Sequence, residues 1–245
     1  MKPNCSPFAR SGFSLVELTV VLVLVGLLIG GLMIPLSTQQ DLRAQTDTEK
    51  QLAEIREALI GYALIKGAFP CPMPANTALT PADAAYGVKG ANCNIEGILP
   101  WKELNVSEVD AWGQKRSAAG DPYRGYWRYR VHPCFSGPIT SVTRPDDTLT
   151  IPTPPSPICD VIPMPDRSPI NIYSPGTTAR QHTTDEYPVL VVYSTGPDRT
   201  ASVENNNSDR NYETGDRSSN FDDMVLWISR PTLFARMAAT GALKP

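Results

Sequence analysis

Ser11-Gly12-Phe13-Ser14-Leu15-Val16-Glu17-Leu18, continued by an apolar run that closes on Leu32-Met33-Ile34-Pro35-Leu36, is the stretch on which the reading of this chain turns. Glu17 is the only charge between Arg10 and Asp41, and it lies near the start of a segment long enough to cross a bilayer. A carboxylate in such a segment costs about 2.5–3.5 kcal/mol at the helix centre and less near the interface. A cation in the same layer would offset that cost, and cleavage after Gly12 would create one as the new α-amino group of Phe13. A signal anchor that snorkels its acid into the headgroups is the competing reading. A secretory signal peptide fits poorly, because no small-residue cleavage site closes the run.

The pattern Gly12-Phe13 with Glu17 resembles the leader of the type IV prepilin and pseudopilin family. That resemblance implies a leader of residues 1–12, removed by a prepilin peptidase that also N-methylates Phe13. It implies that Glu17, the fifth mature residue, neutralises the terminal ammonium of a neighbouring subunit and sets register in assembly. The expected partners are other pilin or pseudopilin subunits, the prepilin peptidase and the inner membrane. The expected placement is a single-pass inner-membrane protein with a periplasmic head, later part of a filament. Within the run, Gly26 and Gly30 have a GxxxG spacing, and Pro35 predicts a kink or local melting between Gly30 and Pro35.

Beyond the run the chain becomes amphipathic. Leu52, Ile55, Leu59, Tyr62 and Ala63 recur at three- and four-residue steps among Glu49, Lys50, Glu54, Arg56 and Glu57, which predicts a helix over 40–66 ended by Gly67 and Pro70. Strand signals come later. Tyr126 to Val131 alternates aromatic or apolar with basic residues, as a strand with one buried face would. The run Val189-Leu190-Val191-Val192 predicts a central strand and Met224 to Ile228 a third, and Ser229-Arg230-Pro231 then opens a short C-terminal helix. The expected fold is α+β and pilin-like: a long N-terminal helix, half membrane-spanning (13–36) and half amphipathic (37–67), packed on a small antiparallel sheet with long loops. The remaining head, 68–245, carries a Pro-, Ser- and Thr-rich insertion at about 135–186 that cannot be regular helix or central strand.

Composition narrows the function classes. The formal charge of −3 becomes −5 once Lys2 and Arg10 leave with the leader, so nucleic acid is not the default partner. Within the pilin reading the large head points to a minor subunit, and the alternative is an adhesive or DNA-binding minor pilin, for which Trp127, Arg128, Arg130 and Arg144 are too few to decide. With Cys5 in the leader, Cys71, Cys93, Cys134 and Cys159 form an even set suited to an oxidising compartment. Three pairings are open. The two sequential ones, Cys71 with Cys93 and Cys134 with Cys159, are favoured because each closes a loop of about 20–25 residues, worth roughly 3 kcal/mol. Zinc is disfavoured by the lack of a Cys-x-x-Cys pair.

Asp110-Ala111-Trp112-Gly113, followed by Tyr126 to Tyr129, resembles the Asp-x-Trp-Gly turn and strand of the major pseudopilins. Ser194 to Asp198 with Asn220-Phe221-Asp222-Asp223 resembles their calcium loop. The resemblance implies Asp198, Asp222 and Asp223 as calcium ligands, with the Thr195 carbonyl; Asn205, Asn206, Asn207, Asp209 and Asp216 are alternatives. A hard cation wants six to eight oxygens of this kind. For catalysis the sequence offers neither a Gly-x-Ser-x-Gly elbow, a phosphate-binding loop, nor His-Glu-x-x-His, and His132 and His182 read as surface residues. The expectation is a structural subunit, not an enzyme, with a signal-anchored periplasmic enzyme as the remote rival.

Overall fold

The computed structural model describes residues 14–75, 80–113, 123, 125–136, 169–183, 186–207, 209–218 and 220–241, with only the backbone described at 30–38. Gly12, Phe13, Cys159 and most of the Pro-rich insertion lie outside them. Two compact units are distinguished, Met1–Arg43 and Ala44–Pro245.

Helix α1 spans Leu15–Lys66. Its start is an N-cap: the Ser14 hydroxyl accepts the Glu17 backbone N–H at 3.2 Å, and the acid three residues on sits where the helix dipole favours negative charge. Glu17 therefore has a local reason to be acidic that needs no ammonium partner. Its end is set by Gly67, whose φ of 68° only glycine adopts without strain and whose N–H returns to the Ala63 carbonyl. The helix runs on through Gly30 to Pro35, where local melting was expected. The expectation of a membrane-spanning half is corrected. Among the described residues no helix is long and apolar enough to cross a membrane. The expected single-pass inner-membrane placement falls with it.

From Ala44 onward the chain builds an α+β head. The short strand β1 (Gly97–Ile98) leads into helix α2 (Trp101–Leu104); β2 (Arg128–Val131), β3 (Asn171–Tyr173), β4 (Pro188–Ser194), β5 (Asn211–Glu213) and β6 (Met224–Ser229) follow, and α3 (Arg230–Ala239) closes the fold. The main sheet has the order β1-β2-β4-β6, antiparallel throughout, with Arg128 opposite Tyr193 and Val191 opposite Trp227. A second, two-stranded sheet pairs β3 with β5 in parallel. The expected single antiparallel sheet is thus corrected to two sheets. Parallel partners need a long crossover, here the whole β3-to-β5 excursion that includes β4.

One cluster packs Leu52, Ile55, Leu59 and Ala63 of α1 against Tyr129, Val131, Leu190, Val192 and Ile228 of the sheet and Leu233, Phe234 and Met237 of α3. A second, on the opposite face, gathers Val191 and Tyr193 with Ile170, Ile172 and Tyr212. Strand β4 is buried on both faces, which is why its apolar run does not alternate. Met73, Tyr86, Ile98, Trp101 and Tyr126 form a third cluster, with the Trp101 and Tyr126 rings stacked at 5.1 Å. Gly97 is required where β1 passes the 72–73 backbone: an added Cβ would lie 2.8 Å from Pro72 Cβ and press on the Met73 carbonyl oxygen.

Helix α3 begins with Ser229, whose hydroxyl accepts the Thr232 N–H at 3.3 Å, and Pro231 occupies the first turn, where no donor is needed. Ser229→Ala is expected to cost about 1 kcal/mol, lowering the thermal midpoint by about 2–4 °C. Differential scanning calorimetry reads that change directly.

Candidate functional site

Two groups of polar side chains stand apart from ordinary surface chemistry. The first lies on the face of β2 opposite the helix. Alternation along β2 predicted basic residues in solvent, yet Arg128 is only 7 % exposed and Arg130 only 4 %. The β3–β5 layer covers this face, so the guanidiniums must find partners inside the protein. The central anion is Glu96, just before β1 and 7 % exposed. Its Oε1 accepts the Tyr193 hydroxyl at 2.9 Å and its Oε2 accepts the Tyr212 hydroxyl at 2.7 Å. Arg128 Nη1 lies 3.7 Å from Glu96 Oε1 and donates to the Tyr193 hydroxyl, while Nη2 donates to Asn206 Oδ1 at 2.9 Å. Arg130 Nε donates to the Tyr212 hydroxyl at 2.6 Å. The Tyr123 ring covers the Arg128 guanidinium at 3.8 Å, a cation–π contact that replaces lost water.

Burial, reinforced by the Glu96 charge, pushes the Tyr123 hydroxyl up to about 12 and those of Tyr193 and Tyr212 well above the usual phenol range. All three stay protonated at neutral pH and act as donors. The network ties the 94–96 segment to β2, β4 and β5.

The second group comprises Asp198, Asp222 and Asp223. Gly196, at φ 62°, lets the 194–198 loop pass close to Asp222: a Cβ there would lie 2.9 Å from Asp222 Oδ2. Asp222 Oδ2 accepts the Asp198 N–H at 3.2 Å, and Asp198 Oδ1 accepts the Thr200 N–H at 2.7 Å, closing a local turn. Asp223 is 3 % exposed; its Oδ2 accepts Ser202 N–H and Asn205 Nδ2, each at 2.8 Å. Its Oδ1 is buried without a hydrogen-bond partner. Burial pushes the Asp223 carboxyl up to about 6, and burial together with the Asp198 charge also raises Asp222. Asp222 and Asp223 line a cleft of about 240 Å³ that also presents Glu49, Asp216 and Arg217. Among the described residues, no three His, Cys, Asp or Glu side chains gather closely enough to hold a metal by themselves. A cation here would have to complete its shell with carbonyl oxygens.

The remaining candidates are placed as follows. Cys71 and Cys93 are joined by a disulfide with Cα atoms 4.6 Å apart, and Cys134 is also disulfide-bonded. Asp110 organises the 110–113 turn by accepting Trp112 and Gly113 N–H groups, and it accepts the Ser194 hydroxyl at 2.5 Å. His182 is not a surface residue: it is 8 % exposed, tilted against the rings of Tyr187 and Trp227. His132 accepts the Cys134 N–H at the start of a 3₁₀ turn. Glu96 escaped sequence reading altogether, because its partners lie 97 and 116 residues further along the chain.

Comparison with known proteins corrects the family reading. The type IV prepilin and pseudopilin assignment drawn from residues 11–36, with the filament-subunit function and periplasmic head it implied, rested on a short motif whose acid also lies in the first turn of α1, where the helix dipole favours it. No family model, no curated protein and no solved structure matches the chain, and this overturns that assignment.

Proposed function

We propose that this chain is a non-catalytic interaction protein whose α1 associates through its N-terminal half with the same segment of a second copy. One observation carries the reading: Leu15, Val16, Leu18, Leu22, Leu27 and Leu28 are all more than half exposed, Leu15 by 80 %. Full burial of a side chain of this type stabilises by about 1.5–3 kcal/mol, so an apolar segment left in water is a strong drive to association. Gly26 has nothing within 4 Å of the place a Cβ would occupy, leaving a low point at which a second helix can approach closely. A second copy suits the segment because an apolar surface of uniform character is complementary to itself under two-fold symmetry.

The test is sedimentation equilibrium of the full chain beside a variant carrying Leu18→Ser, Leu22→Ser and Val25→Ser, which fall on one helix face. The unaltered chain is expected at a multiple of 26.7 kDa and the variant near that mass. An unaltered chain that sediments as a monomer would sink the proposal.

A second reading concerns calcium, which we propose as a structural ligand of the Asp222–Asp223 loop. The unpartnered, buried Asp223 Oδ1 supports it. The donors present are carboxylate, amide and carbonyl oxygens, which suit a hard cation and not a thiol- or imidazole-seeking one. Asp222 and Asp223 would hold the ion, with the Thr195 carbonyl and neighbouring backbone oxygens completing the shell. The ion would supply charge neutralisation and loop rigidity, not a Lewis acid for reaction.

A further inference from the structure

A cleft of about 680 Å³ opens beside the buried Glu96 network, between the 94–96 segment, β3 and the start of β5. Its volume falls in the range of small-ligand sites. Three guanidiniums border it, those of Arg130, Arg180 and Arg210, together with the amides of Asn94, Asn171 and Asn211. Two carboxylates also border it, and both are already engaged. Glu96 accepts the Tyr193 and Tyr212 hydroxyls, and Asp209 accepts the N–H and the side-chain amide of Asn211 at 2.6 and 2.9 Å. Among the described residues the lining has one more cation than anion; the Glu96 carboxylate is turned into the phenol network, and that of Asp209 is exposed and bonds within its own turn.

Arg130 is held in place by its bond to Tyr212 and by Nη1 donating to the Asn94 carbonyl at 3.3 Å, so its planar fork is pre-organised. Asn171 is 8 % exposed; its Nδ2 donates to Asn211 Oδ1 at 2.9 Å, and its Oδ1 is buried without a hydrogen-bond partner. An amide oxygen only accepts, so a ligand that satisfies it must bring a donor such as a hydroxyl. Guanidinium forks, for their part, select planar oxyanions. Ile95 and Pro169 supply apolar walls against which a ring can rest.

We propose that this cleft binds a polyhydroxylated carboxylate, an acidic sugar of the uronate class, with the carboxylate on the arginines and a ring hydroxyl donating to Asn171 Oδ1. The requirement for both groups in one molecule separates this ligand from a simple anion or a neutral sugar.

Isothermal titration of the full chain with glucuronate, glucose and inorganic phosphate tests the assignment. Glucuronate is expected to bind saturably, and glucose and phosphate roughly tenfold or more weakly. Arg180 is exposed, so Arg180→Ala should keep the thermal midpoint while weakening glucuronate about tenfold, and Arg180→Lys should recover only part of that loss. Absence of saturable heat with glucuronate would overturn the proposal. So would phosphate or glucose binding as tightly as glucuronate, or an Arg180→Ala variant that binds it unchanged.

Discussion

Glu96→Ala is expected to destabilise the head by about 3–5 kcal/mol, the usual cost of removing one partner from a buried ion pair. The substitution deletes the acceptor of two buried phenols and the anion nearest Arg128, while Arg128 and Arg130 stay under the β3–β5 layer. The guanidiniums cannot shed their charge, so desolvation is left uncompensated. Urea unfolding followed by tryptophan fluorescence reads the loss as a lower midpoint at unchanged slope. Glu96→Gln keeps one carbonyl acceptor and should lose about half as much. Adding Arg128→Met to Glu96→Ala should recover part of the loss, since removing both charges is cheaper than stranding one. A Glu96→Ala midpoint equal to that of the unaltered chain would mean that water reaches this face and that the network holds nothing together.

How far the fold was legible depends on the range of the interactions that decide each part. Local signals worked. Ser229 and Pro231 marked the start of α3, Gly67 marked the end of α1, and the run at 189–192 became the doubly buried β4. The burial of Arg128 and Arg130 was misread because alternation reports which residues share a face, not what covers that face. The covering layer, β3 with β5, is assembled from residues more than 40 positions downstream by a parallel pairing that leaves no turn signature. Glu96 belongs to the same failure: a lone acid between Ile95 and Gly97 carries no period, and only the fold brings Tyr193 and Tyr212 to it. The largest error came from the N-terminus. Gly12, Phe13 and Glu17 gave a resemblance on a handful of positions, and Glu17 equally lies in the first turn of α1, where the helix dipole favours an acid. In the acidic loop the residue types were visible, but not their inequality. Asp198 closes an exposed turn, whereas Asp223 is buried with one oxygen unsatisfied, and only packing distinguishes them.

That inequality sets the second large effect, a pH dependence whose sign is opposite to that of a salt-bridged acid. Burial raises the Asp223 carboxyl to about 6, against about 3.9 in an unfolded chain. Between those two values the native state binds more protons than the unfolded state, so this group's contribution falls as pH rises through the window. Its cost is absent below about pH 4 and complete above about pH 6, and amounts to about 2–3 kcal/mol. Asp223→Asn keeps an oxygen to accept Ser202 N–H and Asn205 Nδ2 and places no charge at the site. In calcium-free buffer the variant should therefore be more stable than the unaltered chain at pH 7 by about that amount and equal to it at pH 4. Urea midpoints across this range give the difference free of the distant carboxylates, which titrate alike in both. Calcium should close most of that gap. It binds the ionised carboxylate in competition with the proton, so at a hundredfold excess over its dissociation constant it stabilises the unaltered chain by about 2.7 kcal/mol near neutrality. Much of that gain should vanish at pH 5, and Asp223→Asn should show little of it at any pH. A thermal midpoint at pH 7 indifferent to millimolar calcium would remove the cation from the account, and Asp223 would then be a buried carboxyl whose ionisation only weakens the fold.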